Sequence, residues 1–418
     1  MFKLPFSFGS SKEPYFLILT LGADHIECFA VHVNTESFKP VCEIIGFGSE
    51  LVGLDIIRSG VIVDFDSVVL AFKNAVATAT SELDVKFRDV VFGLNSSIAF
   101  DLMTNVRLTR SGVKPLTSEE IADVYSSTSE AANAAALEEI SKITGDSNID
   151  LECITTSTVY IEVDGNKVDS LEHATGKVIE LAQFCSYAPT YVTHMLQDLA
   201  SALKLNVSAI TSEMYALTSS IKPMLGEYFD GVIIDVGSDS TNVGVVFGGG
   251  VVNSKSISVG GSDFTKQISK LTGLSYFGAE KKKTDYSRVQ AEEQNNTLTQ
   301  TLMPDLEEDD TKIHQAIGSV IETWLSGVEL LFSEFDGIKT FGSKIYLTGG
   351  GIMLPEILDV LTKEPWTKAI PFKSPPEFVK LNLMDLHFVS DKTGMLDSPM
   401  FIIPASLSYT YLESNSYL

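Results

Sequence analysis

GVIIDVGSDSTNVGVVFGGGVVNSKSISVGG, residues Gly231 to Gly261, is the stretch on which the fold turns. An apolar run (Val232, Ile233, Ile234) ends in Asp235, a polar turn follows, and a second apolar strand runs from Val243 to Phe247. Gly248 to Gly250 turn the chain again, and Val251 to Val259 reads as a third strand. The pattern predicts an antiparallel meander whose first turn is crowded with small residues. Asp235 falls where a strand leaves the core, a place where a carboxylate can face solvent and hold a metal-bound water. Gly237 permits close backbone approach, and the amides of Ser238, Asp239, Ser240 and Thr241 can converge on an oxyanion. The turn has no lysine, so the charge of a bound phosphate falls to amides and a Mg²⁺ ion. An ordinary hairpin with turn residues fits the same letters, because short motifs recur by chance.

Working outward, the chain has a similar device near its start. Tyr15 to Leu21 is an apolar strand broken by Gly22, and Ile26 to Val33 continues as a second. Thr20 stands there where the later copy has Asp235. Downstream, Lys344 to Thr348 reads as a buried strand, followed by Gly349, Gly350 and Gly351, and Leu354-Pro355 opens a helix with proline in its first turn. Three glycines between a buried strand and a helix N-terminus let a backbone lie flat against a planar or phosphorylated ligand. A flexible strand-to-helix turn is the other reading.

The segments between are mixed α and β. Asp64 to Leu83 has helical spacing (Val69, Phe72, Val76, Ala79, Leu83), with Asp66 as N-cap. From about Phe87 the texture changes. Two strands (Val90 to Leu94, Val106 to Leu108) precede a capping box, Thr117-Ser118-Glu119-Glu120, and a helix with Ile121, Val124, Ile140 and Ile143 on one face, stopping at Gly145. Strand-like runs from Leu151 to Val163 and Lys177 to Phe184 complete a small α+β block, and Tyr191 to Leu203 is an amphipathic helix. Asp263 to Leu271 reads as a helix, Tyr286 to Asp310 as a polar, acidic loop, and Lys312 to Phe332 as a core helix.

A chain of 418 residues exceeds what one hydrophobic core usually serves, so two or more lobes are expected. No apolar run approaches the roughly 20 residues of a membrane helix. The net charge of −25 argues against nucleic acid and anionic lipid as partners, and the longest basic run is Lys281 to Lys283. Four dispersed cysteines without a CxxC pair fit a reducing cytoplasm. The histidines show no zinc-ligand spacing. The opening MFKLPFSFGSSKEP has too short an apolar part for a secretory signal.

Two strand–turn–strand devices, an acidic strand end and a late strand followed by GGG resemble the actin-like ATPase fold, which also covers sugar kinases and DnaK-type chaperones. Within it the chain looks most like the bacterial division protein FtsA. SGVIVDFDSVVLAFKNAV (Ser59 to Val76), VYIEVDGNKVDSLEHATGKVIEL, SVGGSDFTKQI (Ser258 to Ile268) and AEKKK (Ala279 to Lys283) carry the likeness, and the block from about Phe87 to Tyr187 lies where FtsA has its extra subdomain. The pilus protein PilM shares this plan. The resemblance implies an α/β, two-lobed fold of duplicated ribonuclease-H-like domains. The first lobe would comprise residues 1–86 and 188–226, the inserted α+β subdomain 87–187, the second lobe 227–261 and 338–418, and a smaller subdomain 262–337.

Carried over residue by residue, the resemblance implies that Asp235 holds Mg²⁺, with Gly237, Ser238, Ser240 and Thr241 at the β- and γ-phosphates of ATP. Gly22 would approach from the other lobe, Gly349 to Gly351 would pack on the adenosine, and Glu280 and Lys283 would reach the ribose or adenine. Glu213 would help place the attacking water. A solvated helix pair is the plainer account of Glu280 and Lys283, worth a few tenths of a kcal/mol, on the order of 0.3.

Three departures stand out. Thr20 replaces an aspartate of the family, and Asp239 replaces a glycine. A second carboxylate beside phosphates costs about 4 kcal/mol at close range and an effective dielectric near 20. The last residues, LESNSYL, contain no basic amphipathic helix of the kind that anchors FtsA. The segment MFKLPFSF offers at best about 5 kcal/mol of apolar burial, so no direct membrane anchor is expected. The expectation is a cytoplasmic ATP-binding scaffold with weak or absent ATPase activity. Division or pilus membrane proteins would recruit it to the inner face of the membrane, and self-association into filaments would fit. A small-molecule kinase would need a general-base aspartate at the lobe junction, and none stands out. A scaffold that binds no nucleotide is the remaining alternative.

Overall fold

The computed structural model describes residues 14–36, 38–53, 56–58, 60–146, 148–295, 308–363 and 365–418. The first sheet begins as a meander of β1 (Tyr15–Leu21), β2 (His25–Asn34) and β3 (Val41–Leu51). A small hairpin, β4 (Ile57–Arg58) and β5 (Val61–Ile62), leads to α1 (Phe65–Thr80), which buries Val68, Val69, Phe72, Ala75 and Ala79. The N-cap is Asp64, not Asp66: its extended backbone lets the carboxylate accept from the Ser67 amide at 3.2 Å, while Asp66 already lies in the first turn. The chain returns as β6 (Asp89–Leu94), parallel to β1.

The inserted block follows: β7 (Phe100–Thr109), α2 (Ser118–Thr144), β8 (Leu151–Val163), β9 (Asn166–Lys167) and β10 (Val178–Pro189). The capping box of Thr117 and Glu120 opens α2, and Gly145 closes it in the left-handed conformation. Its buried stripe is Val124, Thr128, Ala132, Ala136 and Ile140. These four-residue steps leave Ile143 exposed, contrary to expectation. Helix α3 (Thr190–Ala202) leads back to β11 (Asn206–Ser212), parallel to β6, and α4 (Glu213–Leu225) follows.

The second sheet repeats this plan with β12 (Gly231–Val236), β13 (Thr241–Phe247) and β14 (Gly250–Ile257). Helices α5 (Gly261–Thr272), α6 (Tyr276–Asn295) and α7 (Glu308–Ser333) precede β15 (Lys344–Thr348), parallel to β12. Then come α8 (Pro355–Lys363) and β16 (Glu377–Lys380). The expected loop over Tyr286 to Asp310 is helix at both ends, and its middle, residues 296–307, lies outside the described residues. The sequence hid α6 because that helix has no apolar stripe and ties itself down with polar pairs such as Lys283–Glu280. Helix α7 is long and apolar enough, by length and composition, to cross a membrane over Thr311–Ser333, although charged residues interrupt its apolar run. It buries Ile313, Ile317, Trp324, Val328 and Leu331 in the second-lobe core and reads as a core helix.

Strand order in the first sheet is β11-β6-β1-β2-β3, and in the second β16-β15-β12-β13-β14, with matching parallel and antiparallel pairs. The molecule is therefore one α/β unit built twice. Each sheet is extended at one edge. Strand β17 (Val389–Asp391) joins β3, and the inserted strands continue the second sheet through the Asn253–Leu102 pair between β14 and β7. Two segments fall differently from the sequence-based division. Strand β6, counted within 87–187, is central to the first sheet, and the end of 338–418 returns to the first sheet. There α9 (Ile402–Ser406) and α10 (Ser408–Ser414) pack inward, with Tyr411 stacked on Phe16 at 3.7 Å between ring centroids. One core lies on the α1 face of the first sheet (Leu19, Phe72, Phe92), one around α7 (Ile234, Phe264, Trp324). A third joins residues of both sheets, Phe16, Ile18, Phe29, Ile233 and Tyr346.

Candidate functional site

The duplication brings the two turns face to face. Thr20 to Glu27 and Asp235 to Asn242 match without a gap: glycine at Gly22 and Gly237, aspartate at Asp24 and Asp239. A Cβ on Gly22 would stand 2.6 Å from the His25 carbonyl oxygen. One on Gly237 would stand 3.2 Å from the equivalent oxygen of Ser240, so both turns are built around their glycine. Across each ladder the penultimate residue of the first strand faces a partner on the second. Asp235 pairs with Asn242, whose Nδ2 donates to Asp235 Oδ2 at 2.9 Å. Thr20 pairs with Glu27 and donates from Oγ1 to Glu27 Oε2 at 3.0 Å.

The turns also touch each other. Ser238 Oγ donates to Asp24 Oδ1 at 3.2 Å, and Tyr276 OH, at the start of α6, donates to Asp24 Oδ2 at 2.8 Å. His25 Nδ1 lies 2.7 Å from Asp24 Oδ1 and its Nε2 lies 3.9 Å from Glu27 Oε1. Burial opposes the charge on Asp24, yet the bonds from His25, Tyr276 and Ser238 hold its carboxyl well below the usual carboxylate range. Burial likewise opposes protonation of His25, but Asp24 and Glu27 outweigh it and lift the imidazole to about 9. The first turn thus carries its own cation between two acids.

The second turn gathers three acids, Asp235, Glu213 and Asp101. Burial pushes Glu213, the first residue of α4, up to about 8, and like charge on Asp235, Asp239 and Asp101 adds to the rise. Burial lifts Asp235 to about 6 against the bond from Asn242. Asp101, at the start of β7, is lifted to about 6 by burial, although Ser212 and Ser254 donate to its Oδ2 at 2.7 and 2.8 Å.

The remaining expected residues fall around this seam. Gly349 follows β15 with φ +90°, and a Cβ there would meet the Val236 carbonyl at 2.4 Å and Asp235 Oδ1 at 2.5 Å. Gly351 packs as tightly on the Val236 side chain, whereas Gly350 has room. Close packing on β12 therefore accounts for two of the three glycines. Thr241 is fully buried: its hydroxyl donates to the Val259 carbonyl at 2.8 Å and accepts from Trp324 Nε1 at 2.9 Å, so the side chain faces the second-lobe core. Lys283 bonds Glu280 at 2.7 Å, the Gly261 carbonyl at 2.9 Å and Thr265 Oγ1 at 2.8 Å. This pair is a part-buried bracket at the first turn of α5, which itself rests on the second turn through the Gly261 amide and Gly237 carbonyl, 2.9 Å apart.

Whether these residues suit a cation with phosphate can be judged from their oxygens. Asn242 Oδ1 is buried without a hydrogen-bond partner, and the carboxyls of Asp235, Glu213 and Asp101 are held above their ordinary range. A hard divalent cation with its waters relieves both conditions, so the donor set fits Mg²⁺. Among the described residues no three acids, histidines or cysteines are placed to hold a metal by themselves. The cation's remaining ligands would be water and phosphate, the usual habit of Mg²⁺. Sequence reasoning missed Asp24, His25, Glu27, Asn242, Asp101 and Tyr276. Only the matched spacing of Thr20–Glu27 and Asp235–Asn242 could have exposed three of them, Asp24, Glu27 and Asn242.

Both the sequence and the fold have known relatives. The profile of the family described as cell division protein FtsA matches residues 232–401. The cell division protein FtsA of Enterococcus faecalis is 22% identical over 335 residues, covering 78% of this chain and 72% of that protein. FtsA of Enterococcus hirae is 22% identical over 343 residues, covering 78% and 74%. Among solved structures, the PilM–PilN type IV pilus biogenesis complex superposes with a TM-score of 0.63 at 15% identity, covering 95% of this chain and 98% of that one. The chain is thus similar in sequence to FtsA over its second half, and its fold is that of the PilM–PilN structure.

Proposed function

We propose that the protein is an FtsA-like division protein that binds ATP·Mg²⁺ between its lobes and acts as a cytoplasmic scaffold or polymer. The observation that carries this reading is the FtsA match over residues 232–401, which spans β12, the second turn and the GGG turn that meet at the seam. In this reading Asp235 holds a metal-bound water, and Gly237, Ser238, Ser240 and the backbone of Thr241 face the β- and γ-phosphates. Gly22 approaches from the first lobe. Gly349, Gly350 and Gly351 border the adenosine, with Glu280 and Lys283 toward the ribose or adenine. Glu213 orients the attacking water once it is ionised. Bound Mg²⁺ supplies the positive charge that the second turn lacks. Glu213, held near 8 by burial and by its acidic neighbours, is largely protonated at neutral pH without such a charge, which keeps turnover slow.

Membrane proteins of the division apparatus are the proposed partners, and they bring the protein to the inner face of the cell membrane. The fold likeness to the PilM–PilN complex supports a pilus-assembly role as the second reading. A fluorescent fusion in the native host, followed through depletion, separates the two. Division-site rings and filamentous cells on depletion are expected. Normal division with loss of surface pili would transfer the protein to the second reading.

A further inference from the structure

The first lobe has a carboxylate in the place where its turn looks incomplete. In the second device the acid stands on the first strand and its neutral partner on the second, Asp235 opposite Asn242. In the first device the order is exchanged: neutral Thr20 on β1, acid Glu27 on β2. Both pairs are seven residues apart, directly opposed in the ladder, and hydrogen-bonded at 3.0 and 2.9 Å. Glu27 is 4% exposed, an unusual place for an acid in an otherwise apolar strand. Residues opposite each other in a ladder share a face, so Glu27 lies with Thr20, Ile18, Phe16 and Phe29 on the face that packs into the core common to both sheets. His25, whose cationic form feels Glu280 of the second lobe as well as Asp24 and Glu27, sits beside it at the seam.

We propose that Glu27 is the first-lobe counterpart of Asp235, a positioning carboxylate that reaches the nucleotide-bound cation, through water, from the second strand of the turn. Its two oxygens divide the work. Oε2 is fixed by Thr20, and Oε1 lies 3.9 Å from the His25 imidazole, too long for a hydrogen bond, so it is the oxygen left for a cation's water. His25 places an imidazole beside this buried acid, on the side away from Thr20. The inference rests on the proposed nucleotide site.

The test is Mn²⁺ uptake by the full chain with ATP present, read from the free-ion electron paramagnetic resonance signal, beside ATP affinity measured in EDTA. Glu27→Gln, which preserves size and the bond to Thr20, is expected to weaken Mn²⁺ uptake about tenfold while changing metal-free ATP affinity by less than about twofold. The double variant Thr20→Asp with Glu27→Asn copies the Asp235–Asn242 arrangement into the first turn. It should recover uptake to within about threefold of the unmodified protein. A purely structural role for Glu27 predicts no such recovery and no difference between metal-loaded and metal-free binding. Glu27→Gln with unchanged Mn²⁺ uptake, while Asp235→Asn loses it, would overturn the proposal and leave the nucleotide site standing. An unmodified protein that takes up no Mn²⁺ with ATP would overturn the site and this inference together.

Discussion

The turn after Thr20 and the turn after Asp235 have one backbone plan and opposite electrostatics. In the first, Asp24 is tied to His25, Ser238 and Tyr276, and a protonated imidazole sits between Asp24 and Glu27. In the second, burial raises Asp235, and burial with like charge on Asp235, Asp239 and Asp101 raises Glu213. Duplication thus preserves the turn while the charges diverge: the first copy holds a histidine between two acids, and in the proposed reading the second takes its cation with the nucleotide. A buried acid with its own counter-ion holds structure together.

The widest gap between the two turns should appear in ligand binding. Asp235→Ala is expected to weaken Mg·ATP binding at least about tenfold, or about 1.4 kcal/mol, by calorimetry. An unchanged affinity would remove the metal role from the second turn. The matched aspartates sharpen the contrast. Asp24→Gly should lower the melting temperature, because it cuts the ties from Ser238 and Tyr276 to a buried carboxylate. Asp239→Gly should tighten ATP binding. Should Asp239→Gly weaken binding instead, that carboxylate is helping to hold the metal.

The two turns should also answer pH in opposite ways. His25 titrates near 9 when folded, above its ordinary 6.5. Its stabilisation is therefore complete below about pH 6.5 and lost as pH rises through 9. The melting-temperature gap between the unmodified protein and His25→Gln should close over that window. At the second turn, a cation must displace the Glu213 proton. Mg·ATP affinity should thus rise from pH 6 toward 8, and Glu213→Gln should flatten the rise. The smallest expected effect concerns lipid. Cosedimentation with anionic liposomes should detect no binding, and binding abolished by deleting residues 1–8 would make that segment an anchor.

Much of this was legible in the sequence. The meander around Asp235, the GGG after β15, the capping box of α2 and the core stripe of α7 all follow from local spacing and turn chemistry. What escaped depends on contacts between distant segments. Glu27 looks like a stray charge in an apolar strand until the ladder register places it opposite Thr20. Asp24 and Tyr276 meet only because the two lobes do. The return of Tyr411 to Phe16 is likewise invisible to any local pattern. Helix α6 escaped for a different reason, since polar bonds rather than an apolar face hold it. The GGG run shows how one motif can serve packing and ligand at once. Gly349 and Gly351 are required by Val236, which leaves Gly350 as the glycine with room for something else.

The claim that the second turn awaits an external cation is tested most directly by titrating the unmodified protein with ATP in a calorimeter, with Mg²⁺ and then with EDTA. The account predicts saturable binding with Mg²⁺ and at least about tenfold weaker binding without it. Absence of binding at millimolar ATP in the presence of Mg²⁺, or equal affinity in EDTA, would contradict it.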